Sequence, residues 1–137
     1  MKKLALDVGD KWVGSAISDA LGITCKPYKT VEFDNLLSFI KNVITEEYID
    51  TIIVGYPQTS KGTESDQTKK TVQIKNDLER ELPQIKWILW DERLSSKRAD
   101  SLKSGSFKTK EDKIKSHSIA AAFILQSFLD NLAFKKL

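Results

Sequence analysis

Cysteine, histidine and methionine each occur once in this 137-residue sequence, as Cys25, His117 and Met1. A single cysteine excludes an internal disulfide and leaves no Cys-based zinc site. Cys25 reads as a buried strand thiol. Only three prolines and six glycines punctuate the chain. It shows no domain linker, low-complexity tract or internal repeat. No apolar run approaches the roughly 20 residues that span a bilayer. The opening "MKKLALDVG" has an apolar run of three residues before Asp7, too short for the core of a secretory leader. The expectation is one domain over residues 1–137, with no membrane partner, in a reducing and hence cytoplasmic compartment.

Apolar residues make up 40% and charged residues 30%, a balance that lets one core form and excludes a disordered chain. Net charge is only +3, but Arg93–Lys115 carries eight Lys and Arg against three Asp and Glu. That segment therefore holds +5 and the remainder −2. A concentrated basic segment favours a polyanionic partner through counterion release. A solvated helix face with a loop gives the same charge pattern.

Hydrophobic patterning divides the chain. "KKLALDVG" reads as a buried strand ending in a turn, and "KWVGSAISD" alternates as its hairpin partner. "GITCKPYKTVEF" gives a third strand, with Pro27 marking an edge or a bulge. In "DNLLSFIKNVITEEY" Leu36, Ile40, Val43 and Ile44 fall at helical spacing, with Asp34 or Asn35 as the cap. "DTIIVGY" is a fourth strand. A polar helix follows from about Asp66 to Leu82, with Ile74, Leu78 and Leu82 as its stripe and Pro83 as its stop. "IKWILWDER" is the fifth strand, and "SSKRADSLKSG" a short helix closed by Gly105. The last helix is expected from about Ile114 to Leu132. Strands reached through helices run parallel to the first. This predicts an α/β fold: a five-stranded mixed sheet flanked by helices on both faces.

Such sheets gather functional groups at the carboxyl ends of their parallel strands. Asp7 ends the first strand, and Asp91 and Glu92 end the fifth. Acids brought together raise each other's pKa unless a cation neutralises them, and carboxylate oxygens suit Mg2+ or Mn2+. Taken singly, each reads as a cap or a surface charge before it reads as a ligand. Gly9 and Gly14 allow a tight turn and close approach of a ligand to the backbone. The loop "GYPQTSKGTES" leads into a helix N-terminus that favours an anion.

Four stretches in this order, "LALDVGDKWVGSAISD", "IIVGYPQTSKGTES", "WDERLSSKRAD" and "SIAAAFILQSFLD", resemble the YqgF (RuvX-like) family of small bacterial proteins. The match spans nearly the whole chain. The resemblance implies a ribonuclease H-like fold, akin to the RuvC junction resolvases. It also implies a metal-dependent nuclease using Mg2+ or Mn2+. Its partners would be structured RNA, through 5′ processing of precursor 16S rRNA, or branched DNA, through Holliday-junction resolution. By position, Asp7 matches the first catalytic acid and Glu92 the second, with Asp91 as a helper and Arg93 beside phosphate. Gly9, Lys11, Arg93, Lys97 and Arg98 are the residues expected to hold the nucleic-acid backbone.

Two positions depart from the family pattern. Trp12 stands where the family carries Arg; hairpin packing is its expected role, and a surface for a stacked base is the alternative. His117 stands where the family carries its third acid. Helical spacing lines His117 up with Ala121, Ile124, Phe128 and Leu132, an apolar stripe expected to face the sheet. An imidazole there serves Mn2+ better than Mg2+, or carries a proton near neutral pH. The competing outcome is a nucleic-acid-binding module that has lost catalysis with the third acid. A kinase-like ATPase of the actin class needs a second such domain. No interface signature separates a monomer from a weak homodimer.

Overall fold

The computed structural model describes residues 1–56, 66–91 and 110–135. The five strands are β1 (Lys2–Val8), β2 (Trp12–Ser18), β3 (Cys25–Glu32), β4 (Ile49–Tyr56) and β5 (Lys86–Asp91). The α-helices are α1 (Leu36–Glu47), α2 (Asp66–Glu81) and α3 (Lys110–Lys135). The sheet order is β3-β2-β1-β4-β5. β1, β2 and β3 form an antiparallel meander, and β4 and β5 run parallel to β1. This is the mixed sheet expected from the alternation of the strands. The short helix expected before Gly105 lies outside the described residues.

Strand periodicity sorts the core into two layers. Leu4, Leu6 and Val8 join Val13, Ile17, Ile52, Val54 and Trp87 beneath α1 and α2. From the helices come Leu36, Ile40 and Val43, then Ile74, Leu78 and Leu82. The opposite face of β1 and β2 is built of small residues: Ala5 and Ala16 pack with Ile53 against Ala121, Ile124, Leu125 and Phe128 of α3. Small side chains bring this helix close to the sheet. α3 lies across β2, with β1 and β3 on either side.

Pro27 sits on β3, an edge strand, opposite Ala16 and beside a register shift between Gly14 and Ala16. Ser15 fills the irregularity, its hydroxyl accepting from the Lys29 N–H and donating to the Lys29 carbonyl. An edge position spares Pro27 the ladder bond that it cannot donate.

Two boundaries differ from expectation. Asn35 makes no side-chain cap; a 3-10 turn over Phe33–Asn35 feeds the chain into α1. α3 begins at Lys110, four residues before Ile114. Its first turn is charged rather than apolar, so hydrophobic periodicity does not announce it. Lys and Glu are good helix formers, and acidic residues suit a helix N-terminus.

Candidate active site

Asp7 is the penultimate residue of β1, on the face that Ala5 gives to α3. It is 9% exposed, a carboxylate among buried side chains. His117 projects from α3 four residues before Ala121, on the core-facing stripe. Its Nδ1 lies 3.1 Å from Asp7 Oδ2. Residues 110 positions apart are thus joined at the carboxyl end of β1. Burial is unequal: the His117 side chain keeps 27% of its surface exposed and Asp7 12%. The imidazole is the more accessible partner.

Two glycines make the seat for His117. A Cβ on Gly9 would stand 2.9 Å from His117 Cε1, and one on Gly14 only 2.0 Å from the His117 carbonyl carbon. Gly14 faces Asp7 directly across the β1–β2 ladder. The sequence pointed to close approach by a ligand at these glycines; here the protein's own helix makes that approach. A polar clasp fixes the same helix turn. Thr30 Oγ1 on β3 donates to the Ile114 carbonyl at 3.1 Å and shares a short hydrogen bond with Ser118 Oγ. At the other side of β1, Gln67 Nε2 donates to the Val8 carbonyl at 3.1 Å. Ser118, Thr30 and Gln67 carry no sequence signal that would have singled them out.

Asp91 ends β5, opposite Tyr56 of β4. Its strand parity is that of Trp87, which packs beneath α1 and α2, whereas Trp90 packs towards α3. Asp91 and Asp7 therefore belong to opposite faces of the sheet, which does not suit Asp91 as a helper to Asp7. Lys11 lies exposed in the β1–β2 turn, its Nζ 5.7 Å from the Trp12 ring centroid. Glu92, Arg93, Lys97 and Arg98 lie outside the described residues. A cleft of about 290 Å³ opens at the other end of β1, between Lys2, Ser18, Cys25 and Glu47. It contains neither member of the acid–imidazole pair.

Among the described residues no three His, Cys, Asp or Glu side chains group as a metal site. Asp7 and His117 supply two donors. Neighbouring ligands on one octahedral ion with bonds of about 2.0–2.1 Å stand about 3 Å apart, close to the observed 3.1 Å. The pair would therefore span one edge of a divalent ion's coordination shell. The same spacing is a hydrogen bond, in which Nδ1–H donates to Asp7 and leaves Nε2 free.

A family model for RuvX, described as a Holliday junction resolvase, matches residues 1–131. The chain belongs to the RuvX family. A RuvX-family relative from Clostridium tetani is 38% identical over 140 residues, covering 96% of this chain and 98% of its own length. Another from Sulfurihydrogenibium is 37% identical, over 96% and 91% of the two chains. Both are named "Putative pre-16S rRNA nuclease". Among solved structures, Thermus thermophilus RuvC bound to a Holliday junction superposes with a TM-score of 0.60 at 8% identity, over 97% of this chain and 96% of its own. A second structure of that RuvC gives 0.54 at 12% identity, over 98% and 97%. The RuvX chain thus has the ribonuclease H-like fold of the RuvC resolvases. No helix among the described residues is long and apolar enough to cross a membrane.

Proposed function

We propose that this protein is a metal-dependent endonuclease of structured nucleic acid that processes the 5′ end of precursor 16S rRNA. The observation that carries this reading is the Asp7–His117 pair, held at 3.1 Å at the carboxyl end of β1 in a RuvX-family chain. The names of the relatives supply the substrate.

Asp7, Glu92 and His117 form the proposed catalytic and metal-binding set. A bound Mg2+ or Mn2+ supplies a polarised water and a counter-charge for the leaving oxygen of the phosphodiester. Imidazole nitrogen in place of a third carboxylate favours Mn2+, since Mg2+ prefers oxygen. Asp7 Oδ2 and His117 Nδ1, 3.1 Å apart, would both face the ion. Burial of Asp7 beneath α3 limits the water that competes for its carboxylate. Lys11, Arg93, Lys97 and Arg98 hold phosphates and set the register without reading sequence, while the Gly9 N–H, bonded to the Trp12 carbonyl, shapes the turn that carries Lys11.

A second reading rests on the same hydrogen bond. With Nδ1 bound to Asp7, Nε2 is placed to take or give a proton, and His117 acts as the general acid–base rather than as a ligand. His117→Asp separates the two: a ligand role survives the substitution with altered metal preference, whereas a proton-carrying role loses activity with either ion.

The deciding experiment incubates the protein with a 5′-extended 16S rRNA precursor and with a four-way DNA junction, under Mg2+ and under Mn2+. Asp7→Asn and Glu92→Gln serve as controls. Cutting of the RNA that falls at least about 100-fold in both variants supports the assignment. Cutting of the junction alone moves the substrate to branched DNA. Binding of RNA without cutting under either ion makes the protein a binding module.

A further inference from the structure

Asp7, Gly14 and Thr30 stand in one row across β1, β2 and β3: Asp7 is the ladder partner of Gly14, and Gly14 of Thr30. Side chains paired across neighbouring strands point to the same face, and here that face is the one α3 covers. One turn of the helix, from Ile114 to Ser118, meets all three positions. On one side of β2, His117 Nδ1 lies 3.1 Å from Asp7 Oδ2. Over β2 itself the helix main chain crosses Gly14, where a Cβ would stand 2.0 Å from the His117 carbonyl carbon and 2.4 Å from the Ser118 nitrogen. On the other side, Thr30 Oγ1 donates to the Ile114 carbonyl at 3.1 Å and shares a short hydrogen bond with Ser118 Oγ. The one proton of Thr30 goes to Ile114, so Ser118 is the donor of that second bond.

This seat is polar, whereas the rest of the helix is held by apolar packing. Among the described residues, no member of α3 before Ala121 belongs to either core cluster. Gly14 lets the helix down onto the sheet but does not stop it turning about its own axis. Bonds on both sides of the axis do. Adjacent residues point about 100° apart around a helix, so His117 reaches β1 while Ser118 reaches β3. A roll of about 10° at a side-chain radius of about 5–6 Å moves an atom by about 1 Å. Added to the 3.1 Å between His117 and Asp7, such a shift leaves hydrogen-bond range. Without Thr30, the Ser118 hydroxyl has a partner in its own helix, the Ile114 carbonyl one turn back, and its bond across to β3 is gone.

We infer that Thr30, acting through Ser118 and Ile114, is a positioning residue: it sets the roll of α3 that keeps His117 Nδ1 beside Asp7 Oδ2. The inference rests on that pair being the reacting site and adds the group on β3 that holds it in register. Thr30 is braced in turn, because Ser15 Oγ on β2 bonds both main-chain groups of the preceding residue, Lys29.

The test pairs Thr30→Val, which deletes the hydroxyl at nearly unchanged shape, with Ser118→Ala, which deletes its partner. Valine suits a strand and alanine a helix. Thr30→Ser keeps the hydroxyl and serves as the rescue. The first readout is the ring of His117, the only histidine, in a nitrogen-correlated NMR spectrum taken in EDTA at one fixed pH. Its signals should move in Thr30→Val and Ser118→Ala towards those of Asp7→Asn, and return in Thr30→Ser. The second readout is cutting of a 5′-extended 16S rRNA precursor under Mn2+. Thr30→Val and Ser118→Ala should lower kcat about 10- to 100-fold with KM within about 2-fold, and Thr30→Ser should stay within about 3-fold of wild type. A hydroxyl that only stabilised the fold would lower the Tm and leave both readouts alone. Thermal unfolding shows which variants are folded, and Ser118→Ala gives the result if Thr30→Val does not fold.

Ring signals that match wild type in the folded variants overturn the inference, as does an unchanged kcat where RNA is cut. Ring signals that move and are rescued, in a protein that cuts no RNA under Mn2+, refute the nuclease and leave the positioning standing. Cutting that depends on Asp7, with the ring signals unmoved, does the reverse.

Discussion

The backbone of His117 crosses Gly14 so closely that a Cβ on Gly14 would stand 2.0 Å from the His117 carbonyl carbon and 2.2 Å from its oxygen. These are main-chain atoms and cannot swing aside. Gly14→Ala must push α3 off β2 and separate Ala16 from Ala121 in the packed layer above. The expected cost is about 3 kcal/mol, at the upper end for overpacking, which for a chain of this size lowers the Tm by roughly 10 °C. Thermal unfolding followed by circular dichroism measures it. A Tm within a degree of wild type would mean that the helix does not cross there.

Gly9 faces the ring instead of the helix backbone. A Cβ there would meet His117 Cε1 and the Trp12 carbonyl oxygen, each at 2.9 Å. The imidazole can rotate but the Trp12 carbonyl is main chain, so Gly9→Ala is expected to displace the β1–β2 turn at a cost of about 2 kcal/mol while breaking the bond to Asp7. His117 is the chain's only histidine, and its ring signals in a nitrogen-correlated NMR spectrum need no assignment by elimination. They should shift in Gly9→Ala and reproduce much of the shift seen in Asp7→Asn. Ring signals that match wild type would show that the bond survives.

The architecture was legible because its layers alternate cleanly. Leu4, Leu6 and Val8 against Ala5 and Asp7 specify the two faces of β1, and the stripes of α1, α2 and α3 specify what covers each. Asp7 was legible as a polar residue at a strand end, and His117 as a polar residue in phase with an apolar stripe. Their contact followed only from topology and helical phase together. The glycines show the limit. A glycine signals that something comes close without saying what, and at Gly9 and Gly14 it is α3. The first turn of α3 was missed because its sequence, Lys110 to Lys113, holds no apolar residue for periodicity to detect. The Thr30–Ser118 clasp was missed because hydroxyl residues 88 positions apart leave no local trace.

The metal preference is tested at His117. With imidazole nitrogen as one donor, cleavage by the wild type should be faster with Mn2+ than with Mg2+. His117→Asp restores an all-oxygen set, and the Mn2+/Mg2+ rate ratio should fall about 10-fold or more, within the range by which ligand surroundings tune metal sites. Calorimetric titration with each ion reads the same change without substrate. A ratio left untouched in both measurements would remove His117 from the metal and favour its role as a proton carrier. His117→Ala should lower activity with either ion.

Cys25 supplies a pH dependence far from the site. Its Sγ lies 3.2 Å from the Ala122 carbonyl and 3.7 Å from Gln126 Oε1, where β3 meets α3. Burial, reinforced by the charge of Asp130, pushes the thiol from its ordinary 9.0 up to about 11. Between these values the unfolded chain has released its proton and the folded chain has not. The folded state then binds more protons, so stability falls as pH rises. The contribution is intact below about pH 9 and lost as pH passes the folded value of about 11. Lysines and tyrosines titrate in the same range, so the quantity to measure is a difference. Urea midpoints of wild type and Cys25→Ala, taken from pH 8 to 11, should diverge steadily, with the wild type losing more above pH 9. Alkylation by iodoacetamide at pH 8 should also be slow until the protein is unfolded, because the thiolate is the reactive form. Parallel midpoints combined with rapid alkylation of the folded chain would place the thiol in water instead of against α3.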